Sequence, residues 1–160
     1  MKKLFCLKLI ILGLLSTNCT HQHSPENAVN EFMTHKTKES YLTIPLCNVG
    51  EKVVPLLIEK IKDKNMERRR YAIGFLGVTE NKLPLTTLEK IIEDETDKEF
   101  FRADSLQSVY LLDENLGKEL ANKYQSRTDF LGATAKEIIQ VKDHSAYKKD
   151  QRELICNPND

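Results

Sequence analysis

The sequence predicts an all-α fold: a short right-handed α-solenoid of two to three helical hairpins, preceded by an N-terminal helix. Three observations carry that expectation. Apolar residues recur at every third or fourth position from Val53 to Ile139, strand-like alternation of apolar and polar residues is absent, and one hairpin repeats the pattern of the hairpin before it at an offset of 33 residues.

Ser24-Pro25-Glu26 reads as a helix start, with Ala28, Val29, Phe32 and Met33 as its buried side. Tyr41 to Gly50, which holds Pro45 and Gly50, reads as a connector. From there Val53, Val54, Leu57, Ile58 and Ile61 form the comb of a helix with one buried stripe. Asp63 to Asn65 breaks it, and a second helix carries Met66, Tyr71, Ala72, Ile73, Phe75 and Leu76 before stopping near Gly77. Pro84 suits the first turn of the next helix, where its missing N–H would be unpaired anyway; Leu85, Leu88, Ile91 and Ile92 are the stripe. Asp94 to Asp97 makes a turn, and Phe101, Leu106, Val109, Tyr110 and Leu112 mark a fourth helix ending near Asp113. A shorter third pair has Leu116, Leu120, Ala121 and Tyr124 on one helix and Leu131, Ala135, Ile138 and Ile139 on the other, with Thr128 or Asp129 as the cap between them.

Arg69-x-x-Ala72-Ile73-x-Phe75-Leu76 lines up with Arg102-x-x-Ser105-Leu106-x-Ser108-Val109, and Leu57-Ile58-x-x-Ile61 more loosely with Leu88-x-x-Ile91-Ile92. In this pattern the chain resembles the HEAT-like repeat family. Its units run as a helix with an early proline (Pro55, Pro84), a turn often containing Asp, and then Arg-x-x-Ala-Ala-x-x-Leu-Gly. The first unit matches through Arg69, Ala72, Leu76 and Gly77, the second departs at Ser105 and Val109, and the third has Asp129 where an Arg is expected. The resemblance covers residues 51–140 and implies stacked hairpins presenting a ridge to other proteins, with Arg69 and Arg102 as structural residues of the repeat.

Lys2, Lys3 and Lys8 flank an apolar run, Leu9 to Leu15, too short to span a bilayer, which exits through Ser16-Thr17-Asn18 to Cys19. This resembles the signal peptide of bacterial lipoproteins, with Asn18 where that family prefers Gly, Ala or Ser; the resemblance implies cleavage before Cys19 and lipid on its thiol. The expected organisation is a signal peptide over 1–18, an anchor linker and N-terminal helix over 19–50, a repeat domain over 51–141 and a polar tail over 142–160. Loss of the leader removes three lysines and no acids, leaving 21 basic against 24 acidic side chains, which offers no cationic field for nucleic acid. Two cysteines then remain, Cys47 and Cys156. In an oxidising compartment they either bridge, tying the polar tail to the N-terminal side, or stay as two thiols.

Chemistry-bearing motifs are sparse. His21-Gln22-His23 could place two imidazoles on one metal but falls short of a ligand set, and reads as solvated linker. Neither a nucleophile elbow, nor a phosphate loop, nor Cys-x-x-Cys occurs. No catalytic residue, metal or cofactor is expected. Within Arg68-Arg69-Arg70, Arg69 is expected to bond turn carbonyls or an acid such as Asp63 or Asp94, whereas Arg68 and Arg70 point outward toward an acidic partner. The acidic runs Glu93-Asp94-Glu95 and Asp97-Lys98-Glu99 read as solvated turn, and Phe100 as a partner anchor or a core contact. The functional expectation is an exported, lipid-anchored scaffold in the bacterial cell envelope, on the periplasmic face of a membrane, that binds another protein. The alternative is an immunity or inhibitor protein that blocks an envelope toxin or hydrolase.

Overall fold

A computed structural model describes residues 24–157. Every regular element among them is helical: α1 (Pro25–Thr34), α2 (Ile44–Val49), α3 (Val54–Lys60), α4 (Arg69–Gly77), α5 (Leu85–Glu93), α6 (Glu99–Leu112), α7 (Glu114–Tyr124), α8 (Phe130–Gln140) and α9 (His144–Cys156), with single 3₁₀ turns before and after α2.

Local chemistry sets the boundaries. The Ser24 hydroxyl accepts from the Asn27 amide at the start of α1, where Pro25 fills the first turn. Pro55 does the same for α3, and Pro84 immediately precedes α5. Asp113 both closes α6 and caps α7 by accepting from the Leu116 amide, so these helices meet at one residue. Asp129 and Asp143 cap α8 and α9 through the amides of Gly132 and Ala146. Gly50 ends α2 at φ 68°, a left-handed conformation that a side chain would disfavour.

Two segments are more ordered than their composition suggests. The connector 41–50 contains α2, whose Leu46 is fully buried. The polar tail contains α9, which buries no residue completely and therefore leaves almost no stripe in the sequence. The run 39–60 includes an 18-residue window of mean hydropathy 1.3. It is broken at Gly50, and Leu46, Val53, Val54 and Leu57 are wholly within the core.

Packing centres on α6, which touches α4, α5, α7 and α8; α7 also packs on α8, and α1 on α2. Leu57, Ile73, Leu76, Leu88, Ile92, Leu106, Leu131 and Ile138 make one continuous core through these contacts. Two glycines let helices approach closely. A Cβ on Gly77 would stand 2.7 Å from the Ser108 Cα, and one on Gly117 2.3 Å from the Tyr110 Cα. In the space left at Gly77, the Ser108 hydroxyl donates to the Ile73 carbonyl at 2.9 Å. Cys47 of α2 and Cys156 of α9 form a disulfide, Cα to Cα 5.6 Å, across 109 residues of sequence.

Candidate protein-binding groove

The repeated arginines come first, because they fix the helices that line the groove. Arg69 Nε donates to the Ile61 carbonyl at 2.6 Å, and Arg102 Nε to the Ile92 carbonyl at 2.8 Å. Each guanidinium thereby satisfies a carbonyl left without a partner at the end of the preceding helix. Arg69 also reaches both carboxylate oxygens of Asp97 through Nη1, at 2.8 and 2.7 Å, with both side chains 2% exposed, while the Phe101 ring lies 4.8 Å from its guanidinium carbon. The acid is thus neither Asp63 nor Asp94. Asp63 is taken by the Asn65 amide, and Asp94 by Lys64 and Thr96, whose hydrogen bonds hold its carboxyl down to about 2. Asp97 corrects the reading of the acidic turn as mere solvation: one of its carboxylates is interior. At the next unit Asp129 lies below the usual carboxylate range, chiefly through its hydrogen bond from Arg127 and in smaller part through the charge of Arg102.

Arg68 is turned toward the backbone of α1 and lines a concavity with His35 and Tyr41. It is half-buried and donates to the carbonyls of Phe32 and His35, the latter at 2.7 Å, which ties the end of α1 to α4. Arg70 is exposed and paired, its Nε 2.9 Å from Asp104. Phe100 is half-buried, packed against the core with its ring 4.3 Å from that of Phe101. Cys19, His21 and His23 lie outside the described residues.

Arg70 and Asp104 belong to two adjoining concavities of about 310 and 320 Å³. One is floored by Tyr71 and Gly74 of α4 and Gln107 of α6, and walled by Leu154 and Ile155 of α9. The other lies between Phe100 and Ala103 of α6 and Phe130 and Thr134 of α8. Together they make a groove with an ion pair at its middle and a large exposed apolar residue on either side: Phe130 is 66% exposed and Leu154 71%. The sequence reading passed over both, since Phe130 falls just before the stripe that begins at Leu131 and Leu154 stands in the polar tail. An aromatic off the stripe beside a helix cap was the available signal.

Burial raises the Asp104 carboxyl above its ordinary value, opposed by the charge of Arg70. Tyr71 is pushed up to about 12 by burial and by its hydrogen bond to Glu39, and Tyr147 to about 12, mainly by burial. These phenols stay protonated donors at neutral pH. The groove lining contains neither histidine nor cysteine. Among the described residues no three His, Cys, Asp or Glu side chains converge on a metal position, and the His144 ring sits 2.9 Å from the Tyr110 carbonyl. Comparison with protein families, curated proteins and solved structures gives no match.

Proposed function

We propose that this chain is an exported, lipid-anchored helical-repeat protein of the bacterial cell envelope that holds another protein in the groove of α4, α6 and α8. The single observation that carries the reading is Phe130, two-thirds exposed and standing over a concavity shared with Phe100 and the Arg70–Asp104 pair. A bulky aromatic with that much surface in water is the kind of residue that anchors a partner, and a fixed ion pair beside it gives orientation. Phenols held protonated and a paired carboxylate suit contact better than bond making.

The solenoid reading rests on contacts one repeat apart. Arg69 to Asp97, Arg70 to Asp104, Lys82 to Asp113 and Lys123 to Glu93 join residues 28, 34, 31 and 30 positions apart. The equivalent Arg69 and Arg102 bonds to the helix before each of them support the HEAT-like assignment. The envelope address rests on the leader and Cys19.

Mature protein extracted from membranes and analysed by intact mass tests the anchor; cleavage before Cys19 with added acyl chains is expected, and a soluble form cleaved elsewhere refutes it. Crosslinking in envelope extracts with the native chain and with Phe130→Asp tests the groove. Phe130 is exposed, so the variant folds, and it should lose the partner that the native chain holds. Equal capture by both would remove the groove as the binding face. A single toxic or hydrolytic partner held at nanomolar strength would give the inhibitor reading instead of the scaffold.

A further inference from the structure

Helix α9 lies over the face that α4 and α6 share, held by a few polar contacts, the His144 ring against the Tyr110 carbonyl and the Thr43 hydroxyl donating to the Ile155 carbonyl, and by the partly buried Tyr147 and Ile155. It buries no residue completely. Ile155 sits above Gly74 with ordinary contact distance to spare, since a Cβ added there would stand 3.6 Å from the Ile155 Cδ1. Lys148 and Arg152 reach Glu80 at 3.2 and 3.7 Å, pairs exposed enough to contribute little. The Tyr147 hydroxyl meets Gln107 at 2.7 Å and Glu137 at 3.1 Å. What fastens the helix covalently is its last residue, Cys156, bonded to Cys47 of α2.

A second observation lies beneath the same helix. Tyr110 is fully buried with its ring against His144 and Tyr147, centroids 4.9 and 5.8 Å away, and its hydroxyl has no hydrogen-bond partner. A buried hydroxyl without a protein partner carries a desolvation cost, and lifting His144 and Tyr147 from this ring would open it to solvent.

We propose that α9 is a detachable strap over the α4–α6 face, latched by the Cys47–Cys156 disulfide and released by a dithiol reductant. A thiolate of the reductant attacks one Sγ and displaces the other as thiolate, giving a mixed disulfide. The reductant's second thiol then attacks its own sulfur in that bond, frees the remaining cysteine and closes a disulfide in the reductant. Two electrons and two protons end on Cys47 and Cys156, both half-buried. Release would take away the wall that Leu154 and Ile155 make and open the groove over Gly74 and Gln107; that consequence rests on the groove being a docking site, whereas the release itself does not.

Hydrogen exchange on the full mature chain tests the strap with no partner present, so its failure is distinct from failure of the groove. Oxidised protein, protein in dithiothreitol and Cys156→Ser are compared. Without the bridge, protection of the 144–156 amides should fall about tenfold or more beyond whatever the 99–112 amides lose with the global stability. Unchanged protection over 144–156 would overturn the proposal, as would an equal loss over 99–112, which would make the bridge a staple of the whole fold. Tyr110→Phe, measured in dithiothreitol, should return part of the protection over 144–156, because the unpaired hydroxyl is gone; no return would overturn the part assigned to Tyr110.

Discussion

Arg69 shows how one side chain can tie two units together. Its Nε and Nη1 serve different neighbours, the end of α3 and Asp97 ahead of α6, at an interior position that excludes water. Removing one partner of a buried pair leaves the other charge uncompensated, at a cost of about 3–5 kcal/mol. Arg69→Met should therefore lose on that order in urea unfolding, and Arg69→Met with Asp97→Leu should regain part of it; equal losses for single and double variants would show that Asp97 is not the coupled group. Asp104 behaves oppositely. Its folded carboxyl binds a proton more tightly than the unfolded one at about 3.9, so its protonated form contributes stability at low pH that disappears as pH rises through the raised folded value. Asp104→Asn loses only a pair whose arginine is largely exposed. It should be more stable than the native chain at neutral pH, with the difference shrinking on acidification; a gap that widens toward low pH would contradict the assigned cause.

At the scale of helices, close approach matters more than helix propensity. Gly77 and Gly74 lie one turn apart in α4, and alanine at either would gain roughly 0.5–1 kcal/mol of helical preference. At Gly77 the added methyl meets Ser108 backbone at 2.7 Å, which forces α4 from α6 and costs about 1–3 kcal/mol; at Gly74 it meets the tip of Ile155 at 3.6 Å. Gly77→Ala should lower the melting temperature and Gly74→Ala leave it level or raised, a contrast that calorimetry resolves. The same distinction explains what the sequence made legible. Stripes on α3 to α8 and the equivalent Arg69 and Arg102 could be read because burial selects residue type at a fixed spacing. The partner of Arg69 could not, since Asp94 and Asp97 look alike in sequence and differ in burial, their side chains 34% and 2% exposed. Nor could α9, whose inner side rests on a glycine, a glutamine and a disulfide, or the groove, which is made from residues that the stripes leave over: Arg70, Phe100, Asp104 and Phe130.

In the stack of repeats proposed above, pairs such as Arg69–Asp97 and Lys82–Asp113 join one unit to the next, and an array of that kind loses its ends before its middle. The Cys47–Cys156 bridge acts against such fraying, because it joins α2, before the first repeat, to α9, after the last. Closing 109 residues of sequence removes freedom from the unfolded chain worth at most about 4–5 kcal/mol, and it couples the two ends so that neither can leave alone. Oxidised protein should therefore unfold in urea as one transition, with helical circular dichroism and exchange at α4 and α8 giving the same midpoint. With the bridge reduced the midpoint should fall and the probes at α4 and α8 should separate, because the two ends of the chain are no longer held to one another. Coincident probes in the reduced protein would mean that the hairpins cooperate as one closed bundle, and the stack of coupled neighbours would have to be abandoned.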